Sequence, residues 1–113
     1  GARVTSEKQF LTRIIDETPV VTSPVGLATI GSFPITFRWN RVTNLLFPFT
    51  YSIEIYSINL GLIVDKIENI PPDSGSLNYN GPLDNGDYFW VVDIVDELGN
   101  ISSSKEGSFR VQQ

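Results

Sequence analysis

The chain has 113 residues, a formal net charge of −5, and no cysteine, histidine or methionine. A chain of this size suits one domain and buries roughly two-thirds of the surface its unfolded form exposes, and its 41% hydrophobic and 12% aromatic content argues against disorder. The missing residue types exclude disulfides, thiolate or imidazole metal ligands, a cysteine nucleophile and any serine–histidine triad, and no apolar run approaches the roughly 20 residues of a membrane span.

The start, Gly1-Ala2-Arg3-Val4-Thr5-Ser6, lacks the apolar stretch of a signal peptide, and the chain reads as a piece of something longer. Phe10, Leu11, Ile14 and Ile15 recur at helical spacing, and Ser6 with Gln9 suits a capping box. The same stretch also reads as a strand ending at Asp16. Ile15-Asp16-Glu17-Thr18-Pro19 has the polar, proline-containing character of a junction. Residues 1–17 are therefore expected to be an extension or the end of a preceding module, and residues 18–113 a domain.

From residue 33 onward the dominant period is two, the mark of strands with one buried face. Phe33-Pro34-Ile35-Thr36-Phe37-Arg38-Trp39 alternates apart from Pro34, and Tyr51, Ile53 and Ile55 face one way in the next run. Leu62–Ile67 reads as a shorter, edge-like strand, and Gly75–Tyr79 as another short one. In Tyr88-Phe89-Trp90-Val91-Val92-Asp93-Ile94-Val95 both faces are apolar except for Asp93, which predicts a central position. Ser108–Val111 forms the last strand. Turn clusters separate these runs: residues 22–26, 59–61, 71–75, 80–82, 84–86 and 98–100, rich in Gly, Pro, Asn, Asp and Ser. Frequent turns and short strands predict an all-β, two-sheet antiparallel sandwich of about seven strands.

Five stretches carry a family resemblance. Thr18–Pro24, Ile35–Trp39 and Tyr51–Ile55 resemble strands A, B and C of fibronectin type III-like and related immunoglobulin-like domains, with Trp39 matching the tryptophan that fills the family's core. Leu83 followed by Gly86-Asp87-Tyr88-Phe89-Trp90 resembles the corner before strand F. The resemblance implies that Tyr88 turns its hydroxyl back onto the backbone there. Asp96–Ser102 is similar to the F–G loop of bacterial extracellular members. The resemblance implies an extracellular or cell-envelope setting, and it implies no activity, because the fold hosts many functions.

Four stretches are candidates for function. Leu45-Leu46-Phe47-Pro48-Phe49 places apolar residues in a loop that is normally polar. Either Leu45, Leu46, Phe47 and Phe49 form a partner contact, or Leu46, Phe47 and Phe49 fold inward to cap the core or begin the strand that follows. Asp93, Asp96, Glu97 and Asn100 offer oxygen ligands of the kind calcium takes, or else close a turn by bonding their own backbone. Tyr56, Tyr79 and Phe89 suit either stacking on sugars or cross-strand packing. Asn100-Ile101-Ser102 fits the N-glycosylation pattern, which chance also produces.

The scattered lysines and arginines form no basic stripe, so nucleic acid is not an expected partner. Between Lys66 and Lys105 every formal charge is negative, which suits a solvated surface. No glycine-rich phosphate loop or carboxylate cleft is visible. The expected function is a non-catalytic interaction or spacer module of a larger cell-surface or secreted protein, without a cofactor. Its expected partners are neighbouring domains of the same chain or another protein. The alternative is a carbohydrate-binding module, with or without calcium.

Overall fold

The computed structural model describes residue 15 and residues 17–113. Nine strands follow in order: β1 (Val20–Ser23), β2 (Ala28–Ile30), β3 (Ile35–Asn40), β4 (Phe49–Ser57), β5 (Leu62–Ile70), β6 (Ser76–Tyr79), β7 (Gly86–Asp96), β8 (Ile101–Ser103) and β9 (Gly107–Val111). Among the described residues no helix is long and apolar enough to cross a membrane. One sheet has the order β1-β3-β6 and the other β2-β9-β7-β4-β5, with β8 also paired to β7. Every pairing is antiparallel except β2 with β9.

The period of two becomes the core. Ile35, Phe37 and Trp39 point inward from β3, Tyr51, Ile53 and Ile55 from β4, and Tyr88, Trp90, Val92 and Ile94 from β7; all are buried. Phe37 lies at the centre, with ring centroids 4.7 Å from Trp90 and 5.8 Å from Phe109. Trp90 donates its indole N–H to the Pro24 carbonyl at 2.8 Å, tying the stretch after β1 to the other sheet. The Tyr88 hydroxyl donates to the Asp84 carbonyl at 2.7 Å, the backbone-directed bond that the resemblance implies.

The two-sheet sandwich of about seven strands is there, and β2 and β8 extend it with three residues each. Neither is long enough to show a period. The edge position of β5 holds, but the strand runs on to Ile70 rather than stopping at Ile67. Its register shifts against β4 between Ile55 and Tyr56 and again between Tyr51 and Ile53, and such bulges scramble the alternation a sequence displays. The choice of helix or strand for residues 1–17 falls outside the described residues except at Ile15, which packs against the core, and Glu17.

Strands β4 and β7 pair in unbroken register from Phe49↔Asp96 to Ser57↔Tyr88. Nine residues of strand span about 27 Å, and the pair fixes two ends of the sandwich. At one, the loop end, are the β3–β4 loop and the β7–β8 turn. At the other, the hairpin end, are the β4–β5 hairpin and the corner before β7.

Candidate contact surface

The loop of residues 41–48 leaves β3 and returns as β4 without regular structure. Its entrance is pinned where the backbone N–H of buried Val42 donates to the Tyr51 hydroxyl at 2.8 Å. Its exit is pinned by Phe49, whose ring stands edge-on to Tyr51 at 5.4 Å and 85°. Leu45 and Phe49 are half-buried and pack against the core. Between these anchors Leu46 is 100% exposed, and Phe47 is half-buried. The two readings of the stretch thus divide between its residues: Leu45 and Phe49 turn inward, and Leu46 stands in solvent. A shallow cavity of about 320 Å³ opens beside the loop, lined by Val42, Leu45, Phe49, Pro72 and Asp73 among others.

The acidic residues do not converge. Asp96 closes the β7–β8 turn by itself: its Oδ1 accepts the backbone N–H groups of Leu98 at 2.9 Å and Asn100 at 2.8 Å, and its Oδ2 accepts the Asn100 side-chain amide at 3.0 Å. Gly99 takes φ 84° in this turn, which glycine alone adopts without strain. Asp93 lies three residues earlier on the same strand, so it faces away from Asp96. Among the described residues no three carboxylates gather as a metal site. Ser102 of the Asn100-Ile101-Ser102 pattern donates its hydroxyl to the Glu17 carbonyl at 3.0 Å.

Asp93 sits on the outer face of the six-stranded sheet, yet it is only 2% exposed. Its Oδ2 receives a long bond from the Ser52 hydroxyl at 3.4 Å, and its Oδ1 is buried without a hydrogen-bond partner of this kind. Glu54, two residues along β4 from Ser52, is the carboxyl that interacts with Asp93. Its hydrogen bond to Asp93, reinforced by burial and by the Asp93 charge and opposed by Lys66, pushes the Glu54 carboxyl up to about 6. Sequence alone gives no sign of this pair beyond one aspartate interrupting an apolar face.

The three aromatic residues separate. Tyr56 and Phe89 stack on each other across β4 and β7 at 4.6 Å and 13°. Each ring therefore has one face covered by the other, as in cross-strand packing. Tyr79 lies inside, buried against Phe37, with its hydroxyl donating to Asp65 Oδ2 at 2.7 Å.

A second apolar region was not singled out by the sequence. Ile58, Leu60, Leu62 and Ile63 surround the β4–β5 turn and are between 44% and 68% exposed. The turn is held by the Ser57 hydroxyl, which accepts the Leu60 N–H at 3.0 Å, and by Asn59, whose side-chain oxygen accepts the Asp87 N–H at 3.1 Å. Asn59, Leu60 and Gly61 announce a turn in the sequence, and that signal hides the aliphatic residues around it.

No protein-family model and no curated protein matches the sequence. Solved structures do resemble it. The fibronectin(III)-like modules of Clostridium thermocellum CbhA superpose with a TM-score of 0.55 at 16% identity, covering 82% of this chain and 93% of theirs. A Fn3-like protein from Clostridium thermocellum gives 0.50 at 19% identity, covering 86% and 97%. CopC from Methylosinus trichosporium OB3b gives 0.53 at 18% identity, covering 83% and 93%. The chain has a fibronectin type III-like β-sandwich fold.

Proposed function

We propose that this chain is a non-catalytic interaction or spacer module of a larger bacterial cell-surface or secreted protein, and that the tip of its β3–β4 loop is a contact surface. The observation that carries the reading is Leu46, wholly exposed at the tip of a loop whose apolar flanks are anchored on the core. A flexible loop loses such an anchor's benefit on binding because it must be ordered, whereas a pinned loop presents its side chain at little entropic cost. Covering a leucine of this kind stabilises a complex by about 1.5–3 kcal/mol. The likeness to modules of CbhA supports the modular part of the reading. The carbohydrate alternative draws no comparable support, because Tyr56 and Phe89 stack on each other and Tyr79 is buried.

Light scattering on the wild type and on a Leu46→Ser/Phe47→Ser variant tests the reading. Concentration-dependent association in the wild type, and a folded monomer in the variant, are expected. A variant that associates as strongly as the wild type removes the loop as a contact surface.

A further inference from the structure

Two Asn-Gly pairs stand in the chain, Asn80-Gly81 just after β6 and Asn85-Gly86 at the start of β7. Such a pair has a reactivity of its own. The backbone nitrogen that follows an asparagine can attack the side-chain amide carbon, and a glycine puts no Cβ in the way. The reaction needs a side chain free to turn onto that nitrogen, and the fold treats the two pairs differently. Asn85 is held: its side-chain oxygen accepts the Gln113 N–H at 3.0 Å, tying the corner before β7 to the chain beyond β9. Gly86 already lies in the ladder opposite Val111, packed against Asn59 so closely that a Cβ would stand 3.0 Å from the Asn59 side-chain oxygen.

Asn80 is exposed, and among the described residues its side chain has no hydrogen-bond partner. Gly81 lies beyond the last pair of the β3–β6 ladder, and its N–H donates to no backbone carbonyl among the described residues. Its φ of 78°, and the Phe33 ring 2.7 Å from where a Cβ would stand, reserve the position for glycine. The packing that shapes this turn therefore keeps the reactive pair in place. We infer that Asn80 is a site of spontaneous succinimide formation, with isoaspartate and aspartate as its products. The Gly81 nitrogen bonds to the Asn80 Cγ, the Cγ–Nδ2 bond breaks, and the amide nitrogen leaves as ammonia with the proton that Gly81 gives up. Water then opens the ring. Breaking the bond from Cγ to the Gly81 nitrogen leaves aspartate, and breaking the backbone bond leaves isoaspartate; in sum, amide and water become acid and ammonia. Either product adds a negative charge next to Tyr79, whose hydroxyl joins the two sheet edges. Isoaspartate also adds a carbon to the backbone between Tyr79 and Gly81.

The test incubates the chain at mildly alkaline pH, folded in one arm and unfolded in guanidinium chloride in the other. Peptide mass spectrometry follows each asparagine, and labelling by an isoaspartate methyltransferase identifies the isomer. In the unfolded arm the two pairs should convert at similar rates, because each asparagine has glycine next to it. In the folded arm Asn80 should keep nearly its unfolded rate. Asn85 should fall at least about tenfold behind it, the factor that about 1.4 kcal/mol of restraint supplies. Asn80→Gln should abolish the fast conversion of the folded chain and leave only the slow one at Asn85. A folded chain in which Asn85 converts as fast as Asn80, or in which folding protects Asn80 as strongly as Asn85, overturns the inference.

Discussion

Tyr79, on the edge of the three-stranded sheet, donates its hydroxyl to Asp65 on the edge of the six-stranded sheet, with 2.7 Å between the oxygens. The bond spans the sandwich where both sheets end. Burial and the Asp65 carboxylate together hold the Tyr79 phenol well above its ordinary range. Tyr79→Phe keeps the ring against Phe37 and removes only the donor. We expect a loss of about 1–2 kcal/mol in urea unfolding, since a hydrogen bond to a charged group contributes about 1.5–3 kcal/mol and Asp65 keeps partial access to water. Asp65→Asn in the Tyr79→Phe background should then cost little more, because the two share one interaction.

Gly107 leaves no room for a side chain. A Cβ there would stand 2.7 Å from the Trp90 indole nitrogen and 2.8 Å from the Pro24 carbonyl oxygen, the two atoms of one buried hydrogen bond. Neither can move freely, because one belongs to a fully buried core side chain and the other to backbone. Gly107→Ala should cost about 2–4 kcal/mol through overpacking and the broken bond, and Trp90 fluorescence should shift to the red in the folded variant.

The Glu54–Asp93 pair gives the fold a pH dependence. Glu54 titrates near 6 in the folded chain against 4.5 for the free group, so the folded state holds more protons between those values. The contribution is complete below about pH 4.5 and is lost as pH rises through 6. We expect stability to fall by about 1 kcal/mol over that window, after allowing for screening at a partly exposed group. Asp93→Asn should flatten the profile, and carbon-detected NMR of the Glu54 carboxyl should show its titration moving toward 4.5. A profile of unchanged slope in Asp93→Asn would sink this assignment.

Asp96 holds the β7–β8 turn with three hydrogen bonds from Leu98 and Asn100. Asp96→Ala should cost about 2–3 kcal/mol, in line with the loss of bonds to a charged acceptor. Calcium should leave the melting temperature of the wild type unchanged, since the carboxylate oxygens already serve the turn. A rise in melting temperature with calcium would restore a metal role for this loop.

The parts of the fold that were legible in the sequence are those where burial and period coincide. β3, β4 and β7 each present alternating large side chains to the core, and Tyr88 and Trp39 sit where the family resemblance puts them. β2 is held by parallel pairing to β9 and β8 by pairing to β7, relations between distant residues that three-residue strands cannot advertise. For the contact surface, sequence marked the apolar loop but left open which residues face outward. The anchor that decides this is the Val42–Tyr51 bond, which joins backbone to a side chain on the next strand. The aliphatic hairpin end was missed because its turn residues and its apolar residues are interleaved.

The most direct test of the contact-surface account is the urea midpoint of the wild type and of Leu46→Ser measured across protein concentration. Association of the native state raises its apparent stability with concentration. The account predicts a midpoint that climbs for the wild type, stays flat for Leu46→Ser, and coincides for the two when dilute, because a fully exposed side chain contributes within about 0.5 kcal/mol to the monomer. A constant offset between the two at every concentration would contradict it and make Leu46 part of the core.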